Sequence, residues 1–90
     1  MYILSSAPSA KRDSAKLKTR ISVQDFERLR TTIRSLAEEP RPRGIMKIKG
    51  SKEGYRIRVG NYRVIYKVYD DANKVVISHI LRRNETTYRS

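Results

Sequence analysis

The chain has 90 residues, which is enough for one small domain with a modest core and too few for two. It contains no cysteine and a single histidine, which excludes disulfides, thiolate metal sites and a zinc site built from histidines. Its formal net charge is +12, and no apolar run has the length of a membrane span or the character of a signal peptide after Met1. We therefore expect one cytoplasmic domain over residues 1–90, with no cofactor, no metal and no membrane partner.

The positive charge is concentrated in the second half of the chain. Residues 1–40 carry 8 Lys/Arg and 5 Asp/Glu, a net of +3, whereas residues 41–90 carry 13 and 4, a net of +9. A surplus of this size favours a polyanionic partner, either nucleic acid or an acidic protein that imitates it.

The N-terminal part is predicted to hold a short strand and a first helix. Residues 1–5 include the strand-like run Tyr-Ile-Leu, and Pro8 suits the first turn of a helix of about ten residues. The apolar face of this helix is thin, because only Ala7, Ala10 and Leu17 recur at helical spacing. We expect the helix to depend on tertiary packing for its stability.

A second helix is predicted from a capping box and a longer apolar stripe. Ser22-Val-Gln-Asp25 has the form of the box, and Pro40 excludes helical backbone at the residue before it, so the helix should end at residues 38–40. The stripe recurs at spacings of three and four, and its members are Val23, Phe26, Leu29, Ile33, Leu36 and Ala37. We interpret this stripe as core rather than as a binding surface.

A hairpin and a last strand are predicted after a basic connector at residues 40–44. Residues 45–49 form too short a run to assign, and we expect Met46 or Ile48 to close one edge of the core. The hairpin covers residues 54–59 and 62–69, because the pair at 60 and 61 is Gly-Asn, which suits a two-residue type II′ turn. Residues 70–73, with Asp70 and Asp71 as turn residues, lead into a strand over residues 74–82.

The two-residue turn sets the register of the hairpin. Val59 then lies opposite Tyr62 and Arg58 opposite Arg63, and alternation puts Arg56 on the same side as these two arginines. Like charges directly across a strand pair are destabilising. A cluster of three arginines on one face therefore favours a site for a polyanion such as phosphate, with a solvated basic face as the alternative.

The other face of the hairpin is apolar and needs a cover. Its members are Tyr55, Ile57, Val59, Tyr62, Val64, Tyr66 and Val68. The predicted fold is therefore α+β, with two N-terminal helices packed on an antiparallel sheet of about four strands and the arginine face left open.

Alternation through the last strand predicts two further faces. Val75, Ile77, His79 and Leu81 would share one face, and Val76, Ser78, Ile80 and Arg82 would share the other. Because this separates His79 from Arg82, we interpret His79 as a structural or partly exposed histidine rather than an acid/base catalyst. Glu85, in a tail without periodicity, is the other acid/base candidate, with a surface charge as the alternative.

Several of these features together resemble the RelE/ParE toxin superfamily. They are the order strand, two helices, connector and hairpin, the run Lys-Ile-Lys-Gly50, the run Gly-Tyr-Arg-Ile-Arg-Val-Gly-Asn-Tyr-Arg-Val-Ile-Tyr66, and His-Ile-Leu-Arg-Arg83 followed by a tyrosine near the terminus. The resemblance covers nearly the whole chain. It implies the RelE-like fold and a cognate acidic antitoxin that forms a hetero-oligomer with the toxin.

The resemblance implies one of two activities. RelE members are ribosome-dependent endoribonucleases that cut messenger RNA in the decoding site, which would make this chain a metal-independent mRNA interferase with the ribosome and mRNA as partners. ParE members share the fold and act as gyrase poisons without a nuclease site. A basic RNA-binding module without catalysis is a further alternative.

The resemblance also implies site residues. The catalytic set, transferred one position at a time, is Arg56, Arg58, Arg63, Arg82 and Tyr88, and the RNA-binding set is Arg83, Lys47, Lys49 and Lys52. The pair on the first hairpin strand is often lysine in relatives, and arginine is not deprotonated in proteins, so neither Arg56 nor Arg58 suits the role of general base. Because Arg82 and Arg83 are adjacent, either can be the family's C-terminal arginine.

Overall fold

The computed structural model describes residues 1–82 as two helices packed on one side of a five-stranded sheet. The elements are β1 (Ile3–Ser6), α1 (Pro8–Leu17), α2 (Val23–Ser35), β2 (Met46–Lys47), β3 (Gly54–Val59), β4 (Tyr62–Tyr69) and β5 (Lys74–Arg82). The strand order is β1-β5-β4-β3-β2. The predicted α+β class is confirmed.

The sheet differs from the prediction in strand count and in one strand direction. It has five strands rather than about four, because Met46 and Lys47 form a short edge strand against β3. It is mixed rather than antiparallel, because β1 pairs parallel to β5. The parallel pair joins the two ends of the described chain, and the intervening helices and strands provide the long crossover that parallel strands need.

Both helices begin where their capping signals predict. Pro8 stands in the first turn of α1, and the hydroxyl of Ser22 accepts a hydrogen bond from the Asp25 amide at 3.1 Å at the start of α2. Helix α2 ends at Ser35, earlier than predicted, and turns lead on to the buried Pro40. Val23 was wrongly placed in the core stripe: its side chain is 81% exposed in the first turn of α2.

The core lies between the helices and the apolar face of the hairpin. Its fully buried members include Leu36 from the end of α2, Tyr66 and Val64 from β4, and Val75 and Ile77 from β5. The Tyr66 hydroxyl donates to the carbonyl of Pro40 at 2.8 Å, so the largest buried side chain satisfies its only polar atom. Burial raises the pKa of Tyr66, which keeps this hydroxyl a donor.

The β3–β4 hairpin has the predicted register. Val59 pairs with Tyr62 and Arg58 with Arg63. Within the turn Gly60 has φ +58° and Asn61 has a negative φ, which agrees with a type II′ turn. A β-carbon on Gly60 would also lie only 3.1 Å from a guanidinium nitrogen of Arg28, so both the backbone and the packing favour glycine there.

Strand β5 contains a bulge that the alternating pattern did not reveal. Tyr66 pairs with Ile77 but Ile65 pairs with His79, so Ser78 is the extra residue. Since directly paired residues share a face, the two faces of β5 exchange at this point. The predicted single face for Val75, Ile77, His79 and Leu81 is therefore wrong: after the bulge it is Ile80 that faces the helices.

Helix α1 completes the edge of β5 beyond the end of β1. Strand β1 pairs with Lys74–Ile77 only. Beyond that point the Ser9 hydroxyl donates to the carbonyl of Ser78 at 2.6 Å, and a carboxylate oxygen of Asp13 accepts from the Ile80 amide at 3.0 Å. Side chains of the helix thus satisfy backbone groups that a neighbouring strand would otherwise bind.

Candidate functional site

The three hairpin arginines line one cavity on the face of the sheet that the helices leave open. Arg58 and Arg63 are a directly opposed pair at the turn end of the hairpin, and Arg56 is two residues before Arg58 on the same face. The cavity has a volume of about 260 Å³, and its remaining lining residues are Gly44, Met46 and Ile57. We call this the arginine cavity. Its volume lies just below the range of about 300–1,000 Å³ that is usual for drug-sized ligands, which suits part of a nucleotide.

The arginine cavity is strongly positive. Within residues 1–82, no salt bridge involves Arg56, Arg58 or Arg63. Arg56 donates to the sulfur of Met46 at 3.3 Å, a contact that neutralises no charge. Guanidinium groups present planar donor pairs that match phosphate oxygens. The cavity is therefore suited to binding a phosphate group, and none of its lining residues within residues 1–82 could serve as a general base.

Arg41 has a different environment, which the sequence did not reveal. Its guanidinium donates to both carboxylate oxygens of Asp70, at 2.7 and 3.3 Å, and to the Tyr55 hydroxyl at 3.0 Å. It also lies 5.4 Å from the centre of the Tyr55 ring. Hydrogen bonds to Asp70 and then to Tyr55 raise the pKa of Arg41, and the Arg41 bond is the largest cause of the lowered pKa of Asp70. Asp70 is therefore more than a turn residue.

The N-terminal strand is attached to the same carboxylate. The hydroxyl of Tyr2 donates to Asp70 at 2.6 Å, and this hydrogen bond raises the pKa of Tyr2. We call Tyr2, Arg41, Tyr55 and Asp70 the Arg41 cluster. It connects the chain start, the connector and the ends of β3 and β4, so its role is structural.

The lysines predicted to bind RNA do not line the arginine cavity. Lys47 pairs with Tyr55, on the opposite face of β2 from Met46, and its ammonium lies 5.0 Å from the Tyr55 ring centre. It also donates to the carbonyl oxygens of Ser51 and Lys52, the latter at 2.7 Å. Lys49 and Lys52 are exposed on the turn that follows β2.

The described structure brings together three of the five predicted catalytic residues. Arg82 pairs with Tyr62, whose side chain is in the core, while Leu81 is the partner of Arg63. The register therefore directs Arg82 toward the face opposite the arginine cavity. Tyr88, Arg83 and Glu85 lie outside the described residues.

His79 is paired with a carboxylate of α1. Its Nδ1 atom lies 3.2 Å from the Asp13 oxygen that also accepts the Ile80 amide. His79 is half-buried and is not among the residues that line the arginine cavity. The predicted position of His79 beside Val75 and Ile77 is wrong, because its partner Ile65 also pairs with Arg56 and the three share the open face. The contact with Asp13 is what favours a structural role for this histidine. The sequence offered no signal for Asp13, because the two residues are 66 positions apart.

Comparison with known proteins agrees with this fold. The model of the family described as "ParE toxin of type II toxin-antitoxin system, parDE" matches residues 4–87 of the chain. The chain belongs to the RelE/ParE toxin superfamily. A relative from Methanocaldococcus jannaschii that is named as toxin RelE1 is 35% identical over 69 residues, which are 73% of this chain and 76% of the relative. This protein is therefore a RelE-like toxin of a toxin–antitoxin system.

Solved structures of the superfamily have the same fold. The isolated E. coli RelE toxin matches with a TM-score of 0.74 and 21% identity, over 97% of this chain and 89% of that chain. The archaeal RelE–RelB complex from Pyrococcus horikoshii OT3 matches with a TM-score of 0.75 and 24% identity, over 94% of this chain and 98% of that chain. In the described part of this chain, neither helix is long and apolar enough to cross a membrane.

Proposed function

We propose that this toxin is a ribosome-dependent endoribonuclease that cleaves translated mRNA, with the 2′-hydroxyl of the mRNA itself as the attacking group. The observation that carries the proposal is the arginine cavity, in which Arg56, Arg58 and Arg63 converge without a carboxylate partner in the described part of the chain. A cytoplasmic location follows from the ribosomal target.

The residues of the cavity suit one part of this reaction. Cleavage requires the 2′-hydroxyl to be aligned with phosphorus and to lose its proton to water as the 2′-oxygen bonds to phosphorus, the charge on the phosphate oxygens to be stabilised, and the leaving 5′-oxygen to take a proton from water as its bond to phosphorus breaks. Arg56, Arg58 and Arg63 would bind and neutralise the phosphate. No metal or cofactor has a part in these steps. Because the described lining of the cavity offers no general base, substrate alignment by the ribosome would supply much of the rate.

The C-terminal residues would supply the remaining steps. In this proposal Arg82 or Arg83 donates hydrogen bonds to the leaving oxygen and screens its charge, and Tyr88 stacks on an unpaired base and orients it. Lys47, Lys49, Lys52 and Arg83 would bind RNA more generally through charge. Arg82 lies on the face of β5 that is directed away from the arginine cavity. Substitution of Arg82 is therefore the sharpest test of the proposed catalytic set.

An acidic antitoxin is the proposed protein partner. The chain has a net charge of +12, which favours an anionic segment that folds on binding. Structural neighbours support this, since the Pyrococcus horikoshii RelE was solved as a complex with RelB. We propose α1 and β5 as contact surfaces, in a hetero-oligomer that suppresses the toxin. Copurification with the product of an adjacent reading frame would test it.

A ParE-like activity is the second candidate, with DNA gyrase as the target and no RNA cleavage. Two observations favour it: the matching family model is that of ParE, and Arg82 is directed away from the three hairpin arginines. In this case the arginine cavity would bind a polyanion without chemistry.

Primer extension on cellular mRNA after brief induction of the toxin distinguishes the two. A RelE-like nuclease produces breaks within codons of a translated transcript, and a matched transcript without its start codon stays intact. Growth arrest with intact transcripts and with inhibited gyrase supercoiling would reject the nuclease and establish the second candidate.

A further inference from the structure

Met46 is an exposed apolar residue at the rim of the arginine cavity. Its side chain is 55% exposed, whereas Ile48, two residues later, is only 6% exposed and closes this edge of the core. Met46 is therefore not needed to complete the core. Leaving a large apolar side chain in water forgoes the free energy that its burial would provide.

The sheet holds Met46 on the arginine side. It pairs directly with Arg56, so the two side chains share the open face of the sheet. The guanidinium of Arg56 then donates to the Met46 sulfur at 3.3 Å. Register and contact together hold the thioether of Met46 next to a guanidinium N–H group of Arg56, and both side chains line the same cavity as Arg58 and Arg63.

The lining of the arginine cavity is mixed in chemistry. One part consists of the guanidinium groups of the Arg58–Arg63 pair, and the other is the exposed side chain of Met46 beside Gly44. Ile57 also borders the cavity, but its side chain packs against the core. A ligand that fills both parts carries negative charge next to a flat or apolar group. A nucleotide has this composition, and inorganic phosphate does not.

We propose that Met46, backed by Arg56, contacts one nucleobase of a single-stranded RNA whose adjoining phosphate is bound by Arg58 and Arg63. Unpaired bases stack on guanidinium planes, and a polarizable thioether makes favourable contacts with aromatic rings. This inference rests on the proposed function in taking RNA as the ligand. It concerns binding alone and assigns Met46 no part in bond cleavage.

The test compares two ligands of equal charge. Fluorescence anisotropy would measure binding of the full chain to a short 2′-O-methyl oligoribonucleotide, which is not cleaved, and to the same oligomer with one central abasic position. We expect Met46→Ala to weaken binding of the base-bearing oligomer about threefold to tenfold and to change binding of the abasic oligomer by less than about twofold. Met46→Leu, which retains apolar area without sulfur, should lie between Met46→Ala and the wild type.

Two variants serve as controls. Val23→Ala truncates another exposed apolar side chain, on α2 and outside the arginine cavity, and should leave both affinities unchanged. Arg58→Ala should weaken both oligomers equally, because it removes a phosphate contact. Circular dichroism melts would confirm that each variant is folded at the temperature of the binding measurement.

The inference is overturned if Met46→Ala changes the two affinities by the same factor, or if the wild type binds the base-bearing and abasic oligomers equally. This failure differs from failure of the nuclease proposal. If the protein cuts mRNA within codons but Met46→Ala affects both oligomers alike, only the proposed base contact is wrong. If Met46→Ala weakens binding of the base-bearing oligomer alone and the protein cuts no mRNA, only the nuclease proposal is wrong.

Discussion

The arginine cavity and the Arg41 cluster are both built around arginines from the basic half of the chain, yet their surroundings are opposite. Arg41 binds Asp70 through two hydrogen bonds and a tyrosine through a third. Arg58 and Arg63 face each other and form no salt bridge within residues 1–82. An exposed arginine with a carboxylate partner contributes a little to the stability of the fold, whereas opposed arginines without one cost stability and favour an external anion. The partners, rather than the residue type, separate the two roles.

The largest expected effect is on cleavage by an arginine of the cavity. Arg63→Ala should reduce single-turnover cleavage of ribosome-bound mRNA by about 10²–10³-fold, or roughly 2.7–4 kcal/mol, because it removes one donor to the charge that develops in the transition state. Binding of RNA should fall much less, since the remaining basic residues still attract the backbone. Arg41→Ala is the matched control and should leave the cleavage rate of the folded protein close to wild type. The comparison fails if Arg41→Ala is the more damaging change.

A second experiment asks which C-terminal arginine acts with the cavity. We expect Arg82→Ala or Arg83→Ala to reduce cleavage by orders of magnitude. Because the register of β5 directs Arg82 away from the arginine cavity, comparing the two variants shows which arginine takes part in cleavage. His79→Ala should affect stability alone, because His79 contacts Asp13 outside the cavity. Loss of cleavage in His79→Ala, with Arg63→Ala and Arg82→Ala near wild type, would replace the arginine mechanism by histidine acid/base chemistry.

The hydroxyl beneath the Arg41 cluster should matter for stability and not for activity. Tyr66→Phe removes the hydrogen bond to the Pro40 carbonyl, next to Arg41, and leaves that carbonyl without this partner. We expect a loss of about 1–3 kcal/mol in the free energy of unfolding, measured by urea titration. Tyr55→Phe, which removes a hydroxyl from an exposed contact, should cost less. If Tyr55→Phe lowered the free energy of unfolding as much as Tyr66→Phe or more, burial of the hydroxyl would not explain the size of the loss.

The smallest expected effect is the contribution of the Arg41 cluster to the pH dependence of the free energy of unfolding in acid. The pKa of Asp70 is lowered in the folded protein, chiefly by Arg41 and then by Tyr2, so the folded state favours the carboxylate. Its contribution is complete above the unfolded carboxyl value of about 3.9 and declines as pH falls through the lower folded value. Because the pair is exposed, the effect should be a slight steepening of acid unfolding, which Asp70→Asn removes. Identical acid melting curves for wild type and variant would contradict this.

The hairpin and the helix starts could be predicted from the sequence because their determinants are local. A two-residue turn and a period of two define the register around Gly60, so the alignment of Arg56, Arg58 and Arg63 could be read before the structure. Ser22 and Pro8 likewise mark the starts of helices through contacts within a few residues.

The tertiary structure alone decided the features that depend on distant residues. The bulge at Ser78 exchanges the faces of β5, and α1 satisfies the backbone there through Ser9 and Asp13, nearly 70 positions away in sequence. The parallel pairing of β1 with β5 and the bond between Arg41 and Asp70 are equally non-local. The alternation of apolar and polar residues predicts which face of a single strand each side chain occupies. It carries no information about a register shift that a neighbouring element imposes. For that reason the sequence determined the arginine cavity, while the position of Arg82 relative to it was decided only by packing.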